Sequence, residues 1–159
     1  MQTQAQPPTT LQPQHCTALI QRVYSAINRW DGSERPAELT DLLTPGFVLH
    51  EVDLVVAPGG PRYQVLTLDR QGWLERLVAL KRTFPDLYIT LEDFRSPAPG
   101  LWEDLVTLRG TSTGPDGMHR RAEARWQHFW RVEDHRLAEA WSLGVLPHLS
   151  ARGRIQWGS

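Results

Sequence analysis

The sequence predicts an α+β fold, with helices first and a curved antiparallel sheet after them, laid out as a one-sided cup. Two observations carry this. Four period-two runs, residues 88–94, 101–113, 121–133 and 136–145, follow one another through the second half of the chain. A helical run ending in Phe84-Pro85-Asp86-Leu87 comes before them. Helices followed by runs of strands is the element order of an α+β domain.

Residues 1–13 are rich in Gln, Pro and Thr and have little to bury, so a disordered tail is expected there. Helix one is expected over 14–30, with Leu19, Ile20, Val23, Ile27 and Trp30 on one face. Asp31-Gly32-Ser33 stops it. A short helix is expected over 36–43, Pro36 being tolerated in the first turn, and Thr44-Pro45-Gly46 is expected to break the chain again.

Residues 47–56 read as a strand. Val48, His50, Val52, Leu54 and Val56 share one face, and Phe47, Leu49, Glu51, Asp53 and Val55 the other. The loop Ala57-Pro58-Gly59-Gly60-Pro61 leads to an extended piece over 63–68. Asp69 is the expected N-cap of helix three, whose stripe is Trp73, Leu77, Leu80 and Phe84. Asp116-Gly117 and Asp134-His135 mark reversals between neighbouring antiparallel strands.

At 159 residues the chain fits one domain, taken as residues 14–146, with a C-terminal extension over 147–159. A formal net charge of −1 gives no global attraction to nucleic acid or an anionic membrane, and no apolar run approaches the ~20 residues of a bilayer span. No basic-then-apolar leader is visible, so a cytoplasmic location is expected. The single Cys16 excludes an intramolecular disulfide and a Cys-rich metal site. There is no phosphate-binding Gly loop, no Gly-x-Ser-x-Gly turn and no metal-ligand spacing, so neither a metal nor an organic cofactor is expected.

Several landmarks together resemble the SnoaL-like polyketide-cyclase group of the NTF2-like superfamily, over roughly residues 14–145. They are His50-Glu51, Phe84-Pro85-Asp86-Leu87, Arg109-Gly110-Thr111-Ser112-Thr113-Gly114, and Phe129-Trp130-Arg131-Val132-Glu133-Asp134 leading to Glu139-Ala140-Trp141. The resemblance implies an NTF2-like cone: three helices packed on a strongly curved antiparallel or mixed sheet, a pocket between them, and often a homodimer through the outer sheet face. Relatives of this type often carry His where this chain has Ser112, and an acidic residue shortly after the Trp that matches Trp141. Here Ser142-Leu143-Gly144-Val145 follows Trp141. Cyclase activity is therefore not carried over residue by residue.

The candidate catalytic residues are His50, Glu139 and His128. His50 is read as facing the pocket beside Val48 and Val52, where an imidazole can act as a base. His128 shares a face with Trp126 and Trp130, which suits a flat ligand and equally suits a dimer interface. Asp104 shares a face with Trp102, Val106 and Leu108, where the plain reading is a strand-end residue in water. Glu139 shares one with Leu137, Trp141 and Leu143; it is either a proton shuttle or an ion-pair partner of Arg125 or Arg109. Of seven Trp, five lie in or after the expected sheet. The candidate ligand-binding set is accordingly Trp102, Asp104, Ser112, Trp126, Trp130 and Trp141.

Two functions fit this reading. One is a cofactor-independent cyclase, isomerase, dehydratase or hydrolase acting on a small hydrophobic molecule by proton transfer. The other is a non-catalytic ligand-binding or dimerisation domain on the same fold. A homodimer burying at least one of Trp126, Trp130 or Trp141 is expected, because the helices can cover only one face of the sheet.

Overall fold

The computed structural model describes residues 12–33 and 36–145. The expected tail up to residue 11 and the extension over 147–159 lie outside the described residues. Helix α1 (Pro13–Arg29) starts one residue earlier than expected, with Pro at its first position, and buries Leu19, Ile20, Val23, Tyr24 and Ile27. Helix α2 (Ala37–Asp41) is a single short turn that buries Leu39. Strands β1 (Leu43–Ala57) and β2 (Gly60–Asp69) form a hairpin, turned at Gly59 and Gly60 with φ of +105° and +114°. Helix α3 (Arg70–Thr83) is capped by Asp69, whose Oδ1 accepts the Gly72 N–H at 2.7 Å.

Strands β3 (Tyr88–Ala98), β4 (Leu101–Thr113), β5 (His119–Glu133) and β6 (Arg136–Val145) complete one six-stranded sheet in the order β2-β1-β6-β5-β4-β3. The β1–β6 pair is parallel and the other pairs are antiparallel. Asp134 and His135 turn the β5–β6 hairpin with φ of 46° and 61°, as a two-residue primed turn requires. Shifts of register interrupt β1, β3 and β6, and such bulges bend a strand and add twist. One of them takes up Thr44-Pro45-Gly46: the chain does not break there, and β1 runs through with a shift between Leu43 and Val48.

The sheet is open, and the helices pack on one side of it, α1 against β3 and α3 against β1. Two of the sequence landmarks lock together here. Gly110 on β4 lies so close to Phe84 that a Cβ would stand 2.9 Å from the Phe84 Cβ. Two residues on, Asp86 Oδ1 accepts the Thr111 N–H at 2.6 Å. The end of α3 is thereby pinned to β4, one strand in from the edge of the sheet. Next to it, Asn28 of α1 holds the edge strand β3. Its amide donates to Ile89 O at 2.8 Å and accepts from Ile89 N at 2.7 Å.

The faces of β1 differ from expectation by one residue. Phe47, Leu49 and Glu51 are the buried, helix-facing set, and His50 lies on the outer face. Alternation could not separate the two because both faces are apolar. The outer residues find a second apolar surface on β6, where His50 pairs with Trp141 and Val52 with Leu143. Among the described residues no helix is long and apolar enough to cross a membrane.

Candidate functional site

Between α1, α3 and the inner face of the sheet lies a cavity of about 400 Å³. Ile27, Leu49, Trp73, Leu77, Ile89 and Val106 give it an apolar wall, and Trp126 and Trp130 an aromatic one. Its volume falls within the range of small-molecule sites.

One polar row crosses this apolar wall. In register across four neighbouring strands stand Asp104 on β4, His128 on β5, Ser142 on β6 and Glu51 on β1. Alternation sends all four to the helix-facing side. His128, Ser142 and Glu51 line the cavity, and Asp104 sits just behind His128.

Asp104 is the anchor of the row. It is 1% exposed, which corrects its reading as a strand-end residue in water. Oδ2 accepts from the Tyr24 hydroxyl at 2.6 Å and from Trp130 Nε1 at 2.7 Å, and Oδ1 meets His128 Nδ1 at 2.9 Å. These bonds compensate the burial of a carboxylate that would otherwise be costly. They also assign the imidazole tautomer. Tyr24 gives its proton to Asp104, so its oxygen, 3.1 Å from His128 Nδ1, can only accept there. The Nδ1 edge therefore faces two acceptors and carries the proton. In the neutral ring the lone pair is then on Nε2, and among the described residues no hydrogen bond engages it. Burial first, and the Asp104 charge second, push the Tyr24 phenol well above its ordinary pKa. Tyr24 is thus a fixed donor.

Glu51 stands at the other end of the row, paired with Arg76 of α3. The Glu51 side chain is 4% exposed and the Arg76 side chain 43%, so the carboxylate is set in the wall while the guanidinium reaches from cavity to solvent. Burial raises the Glu51 carboxyl pKa, with Arg76 opposing.

The expected site residues divide into three groups. His128, Trp126 and Trp130 line the cavity, with Asp104 bonded behind them. His50, Glu139 and Trp141 gather on the outer face. There His50 Nε2 lies 2.8 Å from Glu139 Oε1, the His50 ring stacks on Trp141 at 5.6 Å, and Glu139 also takes Arg131 Nε at 3.0 Å. The expectation that His50 faces the cavity is corrected. The ion-pair reading of Glu139 holds with Arg131 as the cation, in place of Arg125 or Arg109. Trp102 is buried against Phe94 at 5.6 Å, and Ser112 is half-buried opposite Arg120 on β5; neither lines the cavity.

Sequence reasoning missed Tyr24, Glu51, Arg76 and Ser142. Tyr24 and Arg76 had a legible signal. Tyr24 lies four residues after Ile20, and Arg76 three after Trp73, so both border apolar helical stripes.

No protein-family model matches the chain, and no curated protein matches it in sequence. Solved structures do. IdmH from Streptomyces antibioticus, a proposed polyketide cyclase, superposes with a TM-score of 0.62 at 28% identity, covering 84% of this chain and 92% of that one. AclR from Streptomyces galilaeus, a proposed hydroxylase, superposes with a TM-score of 0.66 at 16% identity, over 84% of this chain and 91% of its own. A proposed SnoaL-like polyketide cyclase from Jannaschia reaches 0.60 at 14% identity, over 89% and 91%. The fold is the SnoaL-like, NTF2-like one that the sequence landmarks imply.

Proposed function

We propose that this chain, SnoaL-like in fold, is a cofactor-independent enzyme that moves a proton on a small hydrophobic molecule, with His128 as the base. The observation that carries the reading is the buried contact of 2.9 Å between His128 Nδ1 and Asp104 Oδ1, made by a ring that also lines the cavity. Asp104 orients the imidazole and stabilises the imidazolium that forms when Nε2 accepts a proton. A C–H next to a carbonyl is a suitable donor. His128 takes that proton, an enolate forms, and the same imidazolium returns the proton to another atom of the substrate. That sequence is an isomerisation, or a ring closure where the enolate attacks a second carbonyl. Structural likeness to IdmH, a proposed polyketide cyclase, agrees with such chemistry.

The test is deuterium exchange at C2 of 1-tetralone in D2O, followed by proton NMR. The full chain should accelerate exchange over buffer, and His128→Ala should remove about 10²-fold or more of that acceleration, the usual contribution of a positioned base. Wild-type exchange no faster than buffer would favour the non-catalytic binding domain.

A further inference from the structure

We propose that the cavity takes a ring-containing apolar molecule bearing one acidic group, a carboxylate or an acidic enol, and that Arg76 binds this group in exchange for Glu51. The inference deepens the proposed function by naming a ligand class for the same cavity, and it rests on that cavity being the working site.

Arg76 is the only Lys or Arg among the described residues that line the cavity. A guanidinium presents forked donors that match a carboxylate in two parallel hydrogen bonds. Its present partner, Glu51, is fixed on an interior strand between β2 and β6. Arg76 is the more exposed member, a long side chain on a helix and nearly half open to solvent. An incoming anion can therefore draw Arg76 away, while Glu51 stays in the wall.

Glu51 must then change state. Arg76 faces it from α3, His128 from β5 and Asp53 from its own strand, while Ser142 opposite it on β6 is neutral. Burial and Asp53 disfavour its charge, Arg76 favours it, and His128 adds to that only when its ring is protonated. Without Arg76 the buried carboxylate takes a proton from solvent. Before binding, the site holds one guanidinium and the Glu51 carboxylate. Afterwards it holds the same guanidinium, the ligand's anionic group and a neutral Glu51. Binding thus takes up about one proton. It also places an acid on the row that holds His128, two strands away, or roughly 10 Å.

Calorimetry on the full chain tests this at pH 7, with 2-naphthoate and its neutral counterpart 2-naphthamide as probes, in buffers of different ionisation enthalpy. Naphthoate should bind about tenfold or more tightly than naphthamide, as a charged, forked contact allows. Its enthalpy should vary with buffer by the amount for about one proton taken up. Glu51→Gln should abolish the buffer dependence and keep the preference. Arg76→Gln should bring the two affinities together. Equal binding of both probes to wild type, a buffer-independent enthalpy, a preference that survives Arg76→Gln, or no binding of either probe at millimolar concentration would each overturn the proposal. The two readings fail separately. Loss of the naphthoate preference with tetralone exchange intact removes only the ligand class, whereas loss of exchange with the preference intact removes only the catalytic role.

Discussion

The hydroxyl of Tyr24 donates to Oδ2 of Asp104 at 2.6 Å, joining α1 to β4 across 80 residues of sequence behind the cavity. The bond is buried and its acceptor is a carboxylate, so it belongs to the stronger class of hydrogen bonds. Tyr24→Phe removes the donor and leaves the ring. Asp104 keeps Trp130 and His128 as partners, so the expected loss is about 1.5–3 kcal/mol. Urea unfolding would read it as a lower midpoint with an unchanged slope. A loss under a few tenths of a kcal/mol would mean that water replaces the phenol at no cost.

The edge strand supplies a second test. Ile89 turns its N–H and C=O away from β4, and the Asn28 amide answers both. Asn28→Ala leaves two backbone groups without that partner at the α1–β3 contact. A loss of about 1–3 kcal/mol is expected, with the largest rise in amide exchange in β3. Uniform exchange along the sheet would show that Asn28 does not secure this edge.

These contacts mark the boundary of what the sequence makes legible. Strands β4 and β6 have the bounds that period-two runs and flanking turns gave them, because those signals are local. The packing of Phe84 against Gly110 accounts physically for two landmarks that pattern alone could only name. Asp104 was misread because Tyr24 comes from a distant helix, and because its meeting with His128 and Trp130 depends on the β4–β5 register. His50 and Glu51 exchanged faces because β1 is apolar on both sides. The polar row of Asp104, His128, Ser142 and Glu51 exists only once strand order and register are known.

The outer face titrates in acid. The His50 ring first, and Arg131 after it, hold the Glu139 carboxyl below its usual range. The native state therefore binds that proton less readily than the unfolded chain. The stabilisation is present above the unfolded-state pKa of about 4.3 and is lost as pH falls through the lower native value. Glu139→Gln should change stability at pH 7 by no more than about 1 kcal/mol, as for partly exposed pairs. It should also flatten the fall in melting temperature below pH 5. Parallel curves for wild type and variant through that window would remove Glu139 as the source.

We propose that the same outer face forms a homodimer. Of the three Trp expected there, Trp126 and Trp130 line the cavity, which leaves Trp141, beside Phe129 and His50. Trp141→Lys should convert a dimer in light scattering to a species of 18.2 kDa. Wild type already at that mass would refute the dimer.

The proposed action of His128 and Asp104 as one unit on a bound substrate is open to a double-mutant cycle on tetralone exchange. Asp104→Asn can still accept from Tyr24 and Trp130, yet its amide N–H₂ would face His128 Nδ1 and favour the other tautomer, with the proton on Nε2. Asp104→Asn, His128→Ala and the double variant should all lose exchange to a similar extent, about 10²-fold or more, because each disables the same base. All three should remain folded. Near-wild-type exchange in Asp104→Asn, or losses that simply multiply in the double variant, would contradict their action as one unit.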